Sequence, residues 1–280
     1  MQKLLIVDGS NLLFQMFYGM PARIFNQDGK AIHGTLGFVG ALLKIIRITK
    51  PSHAVVLFDG ECHNERKDLN EDYKANRPDY SKIPEEELPF SQEKDVCAAL
   101  DYLKIAHTQT TVCETDDIIA AYAFKLGNTL PIVISSFDSD FFQLINDNVC
   151  VLRYRGDKST ICDKEYIRQK LEIEPSQYAD FKSLTGDTAD NIKGAEKVGP
   201  KTAAKLIRQF GCLDNLLERA EEIQSEPLRN SILKSKERLK INQLLIRLGD
   251  KAELPFSLNQ LELQSINATT NDVLHAIGLK

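Results

Sequence analysis

A chain of 280 residues, 42% hydrophobic and 27% charged, can bury a sizeable core as one large domain or two closely packed ones, and it holds no apolar run long enough for a membrane span. A formal net charge of −5 argues against an evenly basic nucleic-acid binder, unless the acidic residues gather in one site. The N-terminus lacks a signal-peptide pattern and the six cysteines show no Cys-x-x-Cys or zinc spacing, so reduced thiols in the cytoplasm are expected.

The run Leu4-Leu5-Ile6-Val7 reads as a buried strand, ending in Asp8-Gly9. Helical patterns follow over Leu12 to Gly19 and Leu36 to Thr49. A second buried strand, His53 to Phe58, again ends in an acid, Asp59. Residues 60–90 are charged, carry Pro78, Pro84 and Pro89, and lack apolar periodicity, which predicts an excursion from the core. Helices are predicted over Ser91 to Leu103 and Thr115 to Leu126, a third strand over Pro131 to Ile134 before Ser135-Ser136-Phe137-Asp138, and a weaker strand near Val149 to Leu152. From about residue 171 the pattern is helical with no clear strand, and Gly194 to Ala204 reads as a glycine-containing turn opening a helix. Alternating strands and helices predict an α/β fold, a mostly parallel sheet flanked by helices, whose sites form beyond the carboxyl ends of the strands.

Three strands deliver an Asp to that edge, and more acids recur at short spacings: Glu114-Thr115-Asp116-Asp117, Asp138-Ser139-Asp140 and Asp187-Thr188-Ala189-Asp190. Any one pair also reads as helix N-caps and solvated turns. Gathered together, carboxylates repel and raise each other's pKa, so such a group calls for cations. Oxygen donors without Cys or His favour Mg²⁺ or Mn²⁺ over zinc, and two such ions can activate a water and stabilise a leaving oxygen in phosphodiester cleavage. Asp72-Tyr73-Lys74-Ala75-Asn76-Arg77 places a Lys and an Arg three apart, on one face if helical, where they could hold a phosphate; a solvated charged helix is the alternative. The segment Lys193-Gly194 through Val198-Gly199-Pro200-Lys201-Thr202 offers backbone N–H groups at a helix start to a DNA phosphate, or is simply a helix start. His33, His53, His63, His107 and His275 show no ligand spacing, and neither a Gly-x-Ser-x-Gly elbow nor a P-loop is present.

Together these motifs, in order from about Leu4 to about Leu248, resemble the 5′-nuclease family, which includes the N-terminal nuclease domain of bacterial DNA polymerase I, phage 5′ nucleases and the flap endonucleases. No polymerase domain follows in this sequence, so the likeness is greatest to free-standing bacterial 5′–3′ exonucleases. The resemblance implies that Asp8, Asp59, Glu114, Asp116, Asp117 and Asp138 hold one Mg²⁺ and that Asp140, Asp187 and Asp190 hold a second, with Mn²⁺ as a substitute. It implies an arch at about residues 60–95 whose Tyr73, Lys74 and Arg77 act at the scissile phosphate, with Arg66 upstream as a further DNA contact. It also implies a helix-hairpin-helix at Gly194, Val198, Gly199, Lys201 and Thr202 that grips duplex DNA, with a K⁺ ion. The chain departs from the family pattern at Gln15, where relatives usually have Arg, at Phe137, where glycine is common, at Lys197, which replaces a hairpin glycine, and at Glu85-Glu86-Glu87, which makes the arch less basic.

The expected organisation is an α/β nuclease core over 1–170 and a helical region over 171–280. The expected protein is a monomeric structure-specific 5′ nuclease, acting on DNA with a free 5′ end or 5′ flap in replication or repair. A related RNA-cutting nuclease and a catalytically weak DNA-junction binder are the rivals.

Overall fold

A computed structural model describes residues 2–62 and 65–280. The elements in chain order are β1 Leu4–Asp8, α1 Gly9–Gly19, α2 His33–Thr49, β2 His53–Asp59, α3 Glu65–Leu69, α4 Glu93–Leu103, β3 Ala106–Thr110, α5 Thr115–Leu126, β4 Ile132–Ser135, β5 Val149–Arg153 and β6 Thr160–Cys162. Then come α6 Lys164–Leu171, α7 Tyr178–Thr185, β7 Gly186–Asp187, β8 Ile192–Lys193, α8 Pro200–Phe210, α9 Leu213–Glu218, α10 Glu226–Ile246 and α11 Thr270–Ala276. The main sheet has the order β3-β2-β1-β4-β5-β6, parallel except for β6.

Alternation along β1 explains the layers. Leu5 and Val7 face one side, packed with Phe38 and Leu42 of α2 and Val96 of α4. Leu4 and Ile6 face the other, where Ile119 and Tyr122 of α5 join a core continuing through Phe181, Leu206 and Leu216. The α/β core and the following helices therefore share one apolar interior. The chain returns at its end to the sheet: Leu263 N donates to Ser52 O at 2.8 Å, and α11 packs on α2. No helix among the described residues is long and apolar enough to cross a membrane.

The sequence reading missed three features. β3 (Ala-His-Thr-Gln-Thr) is an edge strand in which only Thr110 is buried, so it lacks the aliphatic run that marks the central strands. The helical region holds a two-stranded hairpin, β7–β8, joined by the 188–191 turn. Residues 71–76 form turns instead of the expected basic helix, with Lys74 left-handed at φ 57. The cause is long-range pairing, since Lys74 N donates to Asp190 O (3.0 Å) and Asn191 Nδ2 to Asp72 O (2.8 Å). The excursion is also less detached than its composition suggested: Tyr73 is buried against Ile192, Leu245 and Ile246.

The turn before α8 is braced by α10. Asn242 Nδ2 donates to Ser183 O and Lys193 O, and Arg238 to Gly194 O at 3.1 Å. Gly194 is required here, because a Cβ would lie 2.3 Å from Leu184 O. Lys197 sits at φ 63, a conformation costly for a side chain. Lys197→Gly is expected to raise stability by about 0.5–1 kcal/mol, read as a higher urea midpoint at unchanged m; a lower midpoint would show that the lysine side chain stabilises the turn.

Candidate metal centre

Burial drives β1, β2 and β4 into the sheet, and their carboxyl ends carry Asp8, Asp59 and, after Ser135, Asp138. The first turn of α1 organises all three ends. Asp8 caps α1 by accepting from Asn11 N (3.0 Å), Ser10 Oγ accepts from Asp59 N (2.8 Å), and Asn11 Oδ1 accepts from Phe137 N (3.1 Å). Ser136 completes the knot, donating to Asp8 Oδ2 (2.8 Å) and accepting from Asp138 N (3.0 Å). A Cβ on Gly9 would lie 2.7 Å from the Phe58 ring, so only glycine lets α1 start this close to β2.

These positions fall into two acidic groups: Asp8, Asp59, Asp116 and Asp138 at the sheet edge, which act on one another's charge, and a second group, the only three acids among the described residues whose carboxylate oxygens close to ligand distance of one another. In the first, burial and then Asp59 push Asp8 up to about 7. Burial and then Asp138 push Asp116 far above the ordinary carboxylate range, with Asp8 and Asp59 adding to it. In the second, carboxylate oxygens of Asp140, Asp187 and Asp190 lie within 4.8 Å of one another. Burial and then Asp138 push Asp140 up to about 7. Burial also raises Asp190, although Lys74 and Arg77 pull it down. A cleft of about 220 Å³, lined by Asn11, Phe137, Asp138, Lys182, Asp187 and Asp190, opens beside them.

Glu114 and Asp117 are engaged differently. Arg66 binds Asp117 through both terminal nitrogens (2.7 and 2.9 Å) and reaches Glu114 at 2.5 Å. Lys74 Nζ donates to Glu114 Oε1 at 2.6 Å. Burial would raise Glu114, but Lys74 and Arg66 outweigh it and hold its pKa below the usual value. Tyr73 Oη lies 3.4 Å from Glu114 and 3.5 Å from Asp190, and burial with these acids raises its pKa, so it remains a hydroxyl. Arg77 reaches Asp190 at 3.4 Å.

Of the remaining expected contacts, Gly199 caps α8 with Lys201 exposed beside it, Thr202 half-buried and Val198 buried beneath. His63 lies outside the described residues. Four contributors escaped the sequence reading. Ser10, Asn11 and Ser136 carry no spacing signal. Lys182, one helical turn before the Gly-Asp motif, donates to Asp140 at 3.1 Å and to Asp187. Burial works against its charge, but Asp140 and Asp187 outweigh that and raise its pKa.

The donors fit hard divalent cations: they are all oxygens, clustered, and destabilised by one another's charge. Because Asp8 and Asp140 are raised in the fold, the folded chain keeps protons there that the unfolded chain releases, so stability is lost as pH rises from 3.8 to about 7 and levels off above that. Melting temperature in EDTA is expected to fall over that window, and Mg²⁺ or Mn²⁺ to restore it. Calorimetry checks both; a pH-flat profile indifferent to metal would contradict the carboxylate repulsion.

Comparisons with known proteins identify the family of the chain. Residues 3–172 match the model of the 5′-3′ exonuclease N-terminal resolvase-like domain, and residues 173–269 that of the 5′-3′ exonuclease C-terminal SAM fold. A DNA polymerase I of Rhizobium leguminosarum is 35% identical over 274 residues, covering 94% of this chain, which spans only 26% of that polymerase. A 5′-3′ exonuclease of Aquifex aeolicus is 29% identical over 265 residues, covering 94% of this chain and 88% of the relative. Among solved structures, T5 5′-exonuclease with bound divalent ions (zinc) superposes with a TM-score of 0.71 at 23% identity, over 88% of this chain and 89% of the other. The catalytic core of Rad2 in complex with DNA substrate gives 0.60 at 16%, over 99% and 93%. At these identities the structural likeness speaks for the fold. With both family models matched in sequence along almost the whole chain, this protein belongs to the 5′-3′ exonuclease family.

Proposed function

We propose that this chain is a divalent-metal-dependent nuclease that hydrolyses DNA phosphodiesters at free 5′ ends and 5′ flap junctions, with Mg²⁺ as the working ion. The observation that carries the reading is the cluster of Asp140, Asp187 and Asp190 beside the acidic sheet edge of Asp8, Asp59, Asp116 and Asp138, with Lys74 paired to Glu114 and Arg77 to Asp190. Asp8, Asp59, Asp116 and Asp138 would hold one ion, with Glu114 and Asp117 behind them. Asp140, Asp187 and Asp190 would hold the other. Two divalent ions so placed supply an activated water and compensate charge on the leaving oxygen.

The chain's own groups do the rest. Lys74 can exchange Glu114 for a phosphate oxygen, because Arg66 keeps Glu114 paired. Arg77, more than half exposed, adds a second donor at the rim. Tyr73 lies 4.8 Å beneath the Lys74 ammonium and fixes its height. The open N-terminus of α8, with Lys201 and Lys205 exposed, supplies N–H donors for a duplex phosphate. Such contacts follow backbone shape, so binding would be independent of base sequence and weakened by salt. The helical region over 171–280 would serve as the duplex-binding part and the chain would act as a monomer. We assign no structure to a K⁺ site in the turn, where Lys197 replaces a glycine.

The test uses a 5′-labelled flap DNA, a matched RNA flap, and Mg²⁺ at low salt with an EDTA control. Cutting of the DNA near its junction, abolished by EDTA, is expected. Binding without cutting in Mg²⁺ or Mn²⁺ would make the protein a junction binder, and preferential cutting of the RNA would reassign the substrate.

A further inference from the structure

Gln15 and Phe137, two residues singled out in the sequence, converge on one hairpin. Between β5 and β6 the chain turns through residues 154–159, and Gln15 Nε2 donates to Tyr154 O at 2.7 Å. The turn is tied internally by Arg155 N to Ser159 Oγ (2.9 Å) and Lys158 N to Arg155 O (3.1 Å). Phe137 is fixed from both sides, its N–H on Asn11 Oδ1 and its carbonyl accepting from Arg153 Nη2 at 3.1 Å. The two arginines differ. Arg153 is committed to structure, with its guanidinium 4.6 Å from the Phe142 ring. Arg155 is exposed, and its guanidinium lies 4.9 Å from the centroid of Phe137, a residue that lines the acidic cleft with Asp138, Asp187 and Asp190. Among the described residues Arg155 makes no ion pair, with Asp157 or any other acid.

We propose that Arg155, shelved on the Phe137 ring at the rim of the cleft, binds a backbone phosphate of the DNA strand that passes the second acidic group. This rests on the nuclease reading above. An acidic cleft repels a polyanion at its mouth, and cations at the rim offset that. Lys74 and Arg77 come from the arch; Arg155 supplies a cation from the turn between β5 and β6. A guanidinium suits the role, since it can stack on a ring through its face and present N–H donors to phosphate oxygens in its plane. Phe137 thereby acts as a positioning residue and Arg155 as the contact.

The experiment measures binding of a fluorescent 5′-flap DNA in EDTA over a salt series, and steady-state cleavage in Mg²⁺, for wild type, Arg155→Gln, Arg155→Lys, Phe137→Leu and the double variant Arg155→Gln/Phe137→Leu. Arg155→Gln is expected to weaken binding and raise KM about fivefold, leave kcat within about twofold, and lower the slope of log affinity against log salt by about 1, the mark of one lost phosphate contact. Arg155→Lys should keep the slope. Phe137→Leu should weaken binding less than Arg155→Gln, and the double variant should be no worse than Arg155→Gln alone, because the ring acts only through the guanidinium. An unchanged affinity and salt slope in Arg155→Gln would overturn the assignment, as would strictly additive losses in the double variant. A wild type that binds the flap but never cuts it would overturn the nuclease reading, and the salt slopes would still decide this one.

Discussion

Asp138→Asn is expected to abolish flap cleavage, by about 10³-fold or more, while making the metal-free protein more stable. The first effect follows from position: Asp138 is a proposed ligand of the first ion, and its charge also acts on Asp140 of the second acidic group. The second follows from the same position. Asp138 adds to the raised pKa of Asp8, Asp116 and Asp140, so its charge is a cost whenever no cation offsets it. Asn keeps the shape, and its Oδ1 can still accept from Asp140 N, a bond of 2.7 Å in the native protein. A gain of about 1 kcal/mol in EDTA would raise the melting temperature by about 2–4 °C in a domain of this size. Mg²⁺, which should stabilise the native protein, should then do little. Stability and activity are opposed at this residue, as is common where like charges are gathered for function. A variant that melts lower than wild type in EDTA, or that keeps more than a tenth of its activity, would contradict this role of Asp138.

Lys74→Ala is expected to lower kcat by about 10²–10³-fold with a much smaller effect on flap affinity, the loss typical of a donor aimed at charge that develops in the transition state. The ammonium is nearly enclosed, only 8% exposed, and points at Glu114 beside the acidic cleft. The fold should survive, because Glu114 keeps Arg66 as its partner. The backbone bond from residue 74 to Asp190 O does not depend on the side chain. Lys74→Arg should recover part of the rate, since charge is kept while the shape of the donor changes. Single-turnover cleavage separates the two parameters. A change confined to KM would instead make Lys74 a ground-state clamp.

The acidic strand ends were legible in the sequence for a physical reason. A central parallel strand must be aliphatic on both faces, so an Asp that ends such a run announces both the strand and the edge where it points. Asp8, Asp59 and Asp138 satisfied that pattern. β3 did not, because an edge strand needs no continuous apolar run. The motif Tyr73-Lys74-Ala75-Asn76-Arg77 misled in its local form: its three-residue spacing suits a helix, but the backbone is claimed by the 187–191 turn more than a hundred residues away. The pairing of Arg66 with Asp117 and Glu114 likewise joins residues about fifty apart, and no local spacing reveals it. Ser136 stands next to a recognised motif, yet its bonds to Asp8 and Asp138 require the assembled sheet.

Lys182 changes how such a cleft comes into being. Wedged between Asp140 and Asp187, it brings a counter-charge to the second acidic group from within the chain, as Arg66 and Lys74 do for Glu114. A zinc finger cannot reach its native state until its ion arrives. Here the chain carries its own counter-charges beside the acids, so its packing is expected to depend far less on free divalent ions than a zinc finger's does on zinc. Loading of divalent ions would then follow folding, as a reversible equilibrium separate from it.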